Sequence, residues 1–185
     1  MDEDTEVTGR YVVSMVESAG EVSPVFKKKM NELLSTHGID NPEPDEWYDA
    51  NAFAEAVSQA TEQIGTQTVV QAGEEMGRDV PKPEGITSPH DVLAEVDESQ
   101  QAAYRNSSEP RPAGSYTYER LGERAARSAA TEKFAYPDEI CEGSLRGITK
   151  DIVDRAADVT MEEVEPQPTD HPEKAPERIA YRIEW

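Results

Sequence analysis

The sequence is poor in cysteine and contains no long apolar run. Cys141 is the only cysteine in 185 residues, so the chain cannot form an intrachain disulfide or a cysteine-rich metal site. No apolar stretch approaches the roughly 18 residues that a membrane-spanning helix needs, and the acidic N-terminus is unlike a signal peptide. We therefore expect a single soluble, cytoplasmic domain. Because Cys141 falls on an apolar helical stripe, its thiol is expected to be buried and unreactive.

Positive charge is also scarce. Asp and Glu total 39 against 18 Lys and Arg, which gives a formal net charge of −21. The negative electrostatic field around such a chain repels nucleic acid and anionic membranes, so neither is expected as a partner. The acidity is spread along the whole chain and only seven lysines occur. This composition is typical of a halophilic protein from a high-salt cytoplasm, where ions screen the self-repulsion.

Familiar catalytic and metal-binding motifs are missing. Gly143 and Gly147 lack the Lys and Ser/Thr that complete a phosphate-binding loop. His37, His90 and His171 do not have the spacing of a metal-binding pair on one helix. No general acid or base can be singled out among 39 carboxylates. The sequence therefore predicts no metal site and no catalytic residue.

Residues 1–105 are predicted to be mainly helical, after an irregular segment at residues 1–8. The strongest pattern places Phe53 and Val57 on one helical face, and Gly65 ends that helix. Apolar residues at helical spacing predict further helices in the same half. They lie near residues 11–20, 25–34, 69–77 and 88–103.

Residues 115–185 are predicted to form a sheet that is interrupted by one helix. Period-2 alternation predicts strands at 115–121, 159–164 and 178–185. Residues 124–136 have the alanine content of a helix, but we assign a strand because they follow a turn and precede Pro137. Helices followed by a hairpin, a helix and a second hairpin predict an α+β domain covering residues 1–185.

A central helix is predicted over residues 137–156. Pro137 suits a first helical turn, where its missing N–H would be unpaired in any case. The apolar residues after it form a single stripe along the helix. They are Cys141, Leu145, Ile148, Ile152 and Ala156.

Two glycine pairs inside predicted helices need an explanation. Gly143 and Gly147 are four residues apart, as are Gly73 and Gly77. A helical glycine costs roughly 1 kcal/mol relative to alanine, so a close approach by a backbone or a flat ligand should offset that cost. For Gly143 and Gly147 we expect tight packing against a neighbouring element, with a ligand wall as the alternative, and for the other pair a close helix contact.

Four segments occur in an order and spacing that cover nearly the whole chain. They are Trp47 to Gly77, Leu93 to Gln100, Tyr136 to Gly147, and the terminal hairpin from Val159 to Trp185. Together they resemble the haem nitric-oxide/oxygen-binding (H-NOX) domains and their haem-free relatives, the 4-vinyl-reductase-type small-molecule-binding domains. The resemblance implies a helical part, a four-stranded antiparallel sheet, and a pocket between them. It also implies that the central helix packs on the sheet, so Gly143 and Gly147 are expected to serve helix–sheet contact.

The resemblance also shows where this chain departs from the family. Gas-sensing members hold haem on a proximal histidine, but Gln100 stands at that position here. Phe134, Tyr136 and Asp138 stand where the family has a Tyr-x-Ser-x-Arg motif that anchors the haem propionates. We therefore expect no cofactor. Haem bound through His90 remains an open alternative.

The resemblance predicts that the chain is a non-enzymatic small-molecule-binding or sensory domain. Its ligand would be an unidentified apolar molecule, and its signal would pass to a separate partner protein. Gln100 would be the polar group of the pocket. The predicted apolar lining is Phe53, Val57, Leu93, Val96, Leu145 and Ile148. The alternatives are an interaction protein with a collapsed pocket that acts as a homodimer, a haem-binding gas sensor, and an enzyme of vinyl-group reduction supplied with external electrons.

Overall fold

The computed structural model describes residues 1–80, 82, 84–153, 158–168 and 175–185, and it confirms the α+β class. The helices are α1 (Gly9–Val22), α2 (Pro24–Thr36), α3 (Ala50–Ile64), α4 (Thr66–Asp79), α5 (Pro89–Gln101) and α6 (Asp138–Ile152). The strands are β1 (Glu6–Thr8), β2 (Trp47–Asp49), β3 (Tyr104–Arg105), β4 (Tyr116–Arg120), β5 (Ala125–Thr131), β6 (Thr160–Val164) and β7 (Glu177–Glu184). Within the described ranges, none of the helices is long and apolar enough to cross a bilayer.

Local signals set several helix ends. Asp49 caps α3 by accepting hydrogen bonds from the backbone N–H groups of Asn51 and Ala52. Ser88 and Asp91 form a reciprocal capping box at the start of α5. Gly65 separates α3 from α4 with a φ of 102°, a left-handed conformation that favours glycine. These caps fix where α3 and α5 begin, and both helices carry predicted site residues.

A small three-stranded sheet has the order β2-β1-β3, and β1 lies at its centre. Val7 pairs with Tyr48 on one side and Tyr104 on the other, and its side chain is fully buried. The prediction that residues 1–8 are irregular was therefore wrong for Glu6–Thr8. A strand of three residues is too short to show a period-2 pattern in the sequence.

The large sheet is antiparallel, with the order β4-β5-β7-β6. The strand assigned to residues 124–136 is β5, which ends at Thr131, and residues 134–136 belong to the connection to α6. One irregularity interrupts the pairing of β5 with β7. Ala130 pairs with Ile179 and Thr131 with Glu177, so Arg178 is left without a residue opposite it. This arrangement is a β-bulge, which bends a strand and redirects a side chain.

Helix α6 ends at Ile152, and the predicted stripe residue Ala156 lies outside the described residues. The four helical glycines lie where α6 crosses α4. A Cβ on Gly143 would lie 2.3 Å from the Val70 carbonyl oxygen, and one on Gly77 would lie 2.3 Å from the Ser144 carbonyl oxygen. The expectation that the α6 glycines contact the sheet was wrong, because the backbone of α4 fills that space. The two glycine pairs form one contact.

Candidate functional site

The predicted pocket residues all lie in the interior. None of the seven is more than 7% exposed, and the six apolar ones belong to one continuous core cluster. They are Phe53, Val57, Leu93, Val96, Gln100, Leu145 and Ile148. The structure therefore brings these residues into one packed core. An open pocket lined by them stays a prediction.

Gln100 lies in the last turn of α5 and faces the segment that leads into β4. Its Nε2 is 3.5 Å from the carbonyl oxygen of Ala113, the outer limit of a hydrogen bond. Its Oε1 is buried and has no hydrogen-bond partner in the part of the chain that the structure describes. Nearby, Asp97 accepts a 2.8 Å hydrogen bond from the backbone N–H of Tyr116. Residues of this last turn thus hold the connection between the helical half and the large sheet.

Five rings, which we call the aromatic cluster, occupy the region between the helices and the large sheet. Adjacent rings make edge-to-face contacts with centroids 4.9–5.9 Å apart. The rings come from α1, α3, β4 and the connection between β5 and α6. They are Tyr11, Phe53, Tyr116, Phe134 and Tyr136. The cluster joins the two halves of the molecule through aromatic packing.

Two of the three residues that stand at the positions of the family's Tyr-x-Ser-x-Arg motif contribute rings to this cluster. Phe134 and Tyr136 are each 3% exposed. The Tyr136 hydroxyl lies 2.5 Å from the Tyr104 hydroxyl, and burial raises the pKa of both phenols well above the usual value. The phenols therefore stay neutral and share one hydrogen bond in an apolar setting.

The third motif position, Asp138, is paired with a residue that sequence reasoning did not single out. Arg178 Nη2 lies 2.7 Å from Asp138 Oδ1. The same guanidinium donates 2.8 Å hydrogen bonds to the carbonyl oxygens of Phe134 and Tyr136. Arg178 belongs to a strand with clear alternation, so no local sequence signal marks it. Only the β-bulge brings it here.

These residues do not fit a haem group. The aromatic cluster occupies the region between the two halves, and Gln100 offers an amide where the resemblance expects an imidazole. Asp138 presents a negative charge where the resemblance expects an arginine, and Arg178 is engaged with Asp138. Across the described ranges, no group of three or more His, Cys, Asp or Glu side chains is arranged to hold a metal ion.

His90, the alternative iron ligand, is engaged through both ring nitrogens. Its Nε2 lies 2.9 Å and 3.0 Å from the carbonyl oxygens of Gly122 and Glu123, so that nitrogen carries the hydrogen. Its Nδ1 then accepts a hydrogen bond from the Tyr118 hydroxyl, 2.9 Å away. Ligation of iron would have to break one of these contacts. His171 lies outside the described residues.

Two surface depressions lie near the aromatic cluster and the small sheet. One of about 590 Å³ is lined by residues 3–6 of the N-terminal segment, three of them acidic, with Asp49 and Asn106. The other, of about 440 Å³, lies between α3 and residues 134–138. Ser58, Thr61 and Glu62 form one side of this second depression, and Arg178 contributes to the other. The second depression lies directly outside Phe134 and Tyr136.

Comparisons with known proteins agree with the fold. No protein-family model matches the chain, and no curated protein matches it. A point variant of the H-NOX protein of T. Tengcongensis superposes with a TM-score of 0.63 at 15% identity, over 96% of both chains. An oxygen-binding H-NOX domain related to soluble guanylate cyclases gives 0.63 at 14% identity, over 96% of this chain and 94% of that one. A Cs H-NOX mutant with 4-cyano-L-phenylalanine gives 0.63 at 15% identity, over 96% and 95%. At these identities the likeness concerns architecture alone: this chain has an H-NOX-like fold.

Proposed function

We propose that this chain is a haem-free, H-NOX-like sensory domain that binds an apolar small molecule and catalyses no reaction. The proposal is supported by the fold, which it shares with an H-NOX domain that binds oxygen. It is supported further by the buried apolar residues between the helices and the large sheet. Its signal would pass to a separate partner protein.

The observation that carries the haem-free assignment is the aromatic cluster. A haem needs an open, flat space, and that region holds packed rings that make edge-to-face contacts. Gln100 adds a second obstacle, because a carboxamide is a poor axial ligand compared with imidazole. The two obstacles are independent, so they can be tested separately.

Titration of the wild type and of Gln100→His with haem tests the two obstacles separately. We expect the wild-type chain to leave the Soret band of free haem unshifted, and Gln100→His to leave it unshifted as well, since restoring an imidazole does not clear the rings. A haem-binding H-NOX protein treated in parallel is the positive control. Stoichiometric haem uptake by the wild type would overturn the haem-free assignment. Uptake by Gln100→His alone would show that the rings do not block the space.

Mass spectrometry identifies the natural ligand. When the protein is produced in a high-salt host, the small molecules that co-purify with it should include an apolar compound that is released on denaturation. Heat-treated protein carried through the same purification is the control for adventitious compounds.

An interaction protein with a closed interior is the second candidate. The observation that favours it is the packing of the predicted lining, since Leu93 and Leu145 are fully buried. Such a protein would act through its surface, for example as a homodimer. Light scattering would then show a dimer at working concentration, and no compound would co-purify.

A further inference from the structure

Strand β6 lies at one edge of the large sheet, and one of its two sides is open among the residues that the structure describes. The order β4-β5-β7-β6 places β7 on one side of β6 and no described strand on the other. Thr160, Glu162 and Glu163 are exposed, and Met161 is half-buried. An exposed strand edge carries unpaired N–H and C=O groups, which can pair with another extended chain.

The register of the sheet identifies the backbone groups at this edge. The Trp185 N–H donates a hydrogen bond to the carbonyl oxygen of the residue before β5. Because hydrogen-bonded pairs alternate along an antiparallel ladder, Ile183 and Tyr181 also bond β5, and the β7 residues between them bond β6. Met161 lies opposite Ile183, and Glu163 lies opposite Tyr181. The N–H and C=O groups of Met161 and Glu163 therefore point away from β7, toward the open edge.

Contacts just after β6 hold the strand against the sheet. Arg127 Nη2 donates a 2.9 Å hydrogen bond to the carbonyl oxygen of Glu165. The Gln167 N–H donates to the Glu177 carboxylate at 2.7 Å, and the Glu177 N–H donates to the Gln167 carbonyl oxygen at 3.2 Å. The edge is therefore formed before any partner arrives, so the entropy cost of binding falls mainly on the incoming segment.

The side chains of β6 determine which segment fits the edge. Residues 161–164 read Met-Glu-Glu-Val, an order of apolar, acidic, acidic and apolar. Glu162 lies opposite Arg182, but the Arg182 guanidinium bonds Glu184 instead. Among the described residues, neither Glu162 nor Glu163 has an ion-pair partner. Opposite charges on neighbouring strands stabilise the pairing and like charges destabilise it. A segment with the order apolar, basic, basic and apolar is therefore complementary to this edge, whichever way it runs.

We propose that β6 is a docking edge for an extended basic segment of a partner protein, which adds a fifth strand to the large sheet. A second copy of this chain is a poor occupant. The antiparallel pairing that uses both Met161 and Glu163 of each copy places the two Glu162 side chains opposite each other. The net charge of −21 also repels a second copy and attracts a basic segment. The proposal adds a partner-binding surface to the proposed sensory function, and it does not depend on which molecule the interior binds.

The test titrates the full chain with the peptide Thr-Val-Lys-Lys-Val-Thr, acetylated and amidated at its ends, at one fixed salt concentration. Two-dimensional NMR should show saturable shifts of the amide signals of Met161 and Glu163, because their N–H groups gain hydrogen-bond partners. A peptide of the same sequence with every backbone nitrogen methylated keeps the charge but has no N–H to donate. It should give no saturable shift at these two amides, and neither should Thr-Val-Glu-Glu-Val-Thr.

Charge reversal at the edge separates docking from general attraction to an acidic protein. Glu162→Lys combined with Glu163→Lys should raise the dissociation constant of the lysine peptide about tenfold. The same variant should bind the glutamate peptide instead. The control combines Glu17→Lys with Glu95→Lys, which changes the net charge equally at exposed positions of α1 and α5. This control should bind the lysine peptide as the wild type does.

Several results would overturn the docking edge. They are no saturable shift in the wild type, equal shifts with the methylated peptide, and equal weakening by the two double variants. Shifts of Met161 and Glu163 that depend on the concentration of the free chain would mean that a second copy covers the edge, which also refutes the proposal. If circular dichroism shows that the charge-reversed variant is unfolded, the lysine and glutamate peptides are compared on the wild type, where equal shifts would refute the proposal. Haem uptake by the wild type would overturn the haem-free function and leave this surface unaffected.

Discussion

Gly147→Ala tests whether the crossing of α4 and α6 holds the fold together. An added Cβ at Gly147 would lie 2.0 Å from the carbonyl oxygen of Glu74 and 3.1 Å from the backbone N of Arg78. Real Cβ contacts are essentially never shorter than 3.0 Å. Both neighbouring atoms belong to a helix backbone, so no side chain can rotate away. The two helices would have to separate by about 1 Å.

Two opposing effects set the magnitude. Alanine is favoured over glycine inside a helix by about 1 kcal/mol, which acts to stabilise the variant. Overpacking a closed contact costs about 1–3 kcal/mol, and here the high end applies because backbone must move. Separation would also weaken the 2.9 Å ion pair between Lys150 and Glu74. We expect a net loss of about 2 kcal/mol in the free energy of unfolding, or about 4–8 °C in Tm for a chain of this size.

Chemical denaturation followed by circular dichroism, at one fixed salt concentration, measures this loss. Gly20→Ala is the matched control, because Gly20 also lies in a helix and its added Cβ would meet the flexible Lys27 side chain. That control should be neutral or stabilised by up to about 1 kcal/mol. If Gly147→Ala were as stable as Gly20→Ala, the close backbone contact between α4 and α6 would be refuted.

Two further predictions concern titratable groups. Burial acts to raise the pKa of the Glu177 carboxyl, but hydrogen bonds from Arg127, the backbone N–H of Gln167 and Thr117 outweigh it and lower that pKa. Its contribution to stability is therefore present above the unfolded pKa of about 4.3 and is lost as pH falls through the lower folded value. Glu177→Gln should cost about 3 kcal/mol at neutral pH because it leaves Arg127 buried without its charge partner. Denaturation curves should also show that this variant loses less stability than the wild type between neutral and acidic pH, and an equal loss would contradict the assignment. For the thiol, burial raises the pKa of Cys141, so Ellman's reagent should react with it only after unfolding, and rapid labelling of the native chain would contradict its burial.

Some features of this protein follow from the sequence by itself. The helical spacing that starts at Phe53 and the alternation that starts at Ile179 depend on residues within one turn or one strand. The helix, hairpin, helix, hairpin order follows from those patterns, and so does the α+β class. That Gln100 stands where the resemblance to H-NOX domains expects a histidine likewise needs only the sequence. Each of these is a local property, so no knowledge of distant partners is required.

Other features were decided only by the tertiary structure. Glycine spacing marks a close contact but does not identify the partner, and the partner of Gly147 proved to be α4. A bulge is a mismatch between two strands, so neither strand alone shows that Arg178 turns toward Tyr136. The packing of the five aromatic rings against one another depends on four elements that are distant in sequence. The sequence therefore determines which segments form helices and strands. Long-range packing determines what space is left between those elements for a ligand.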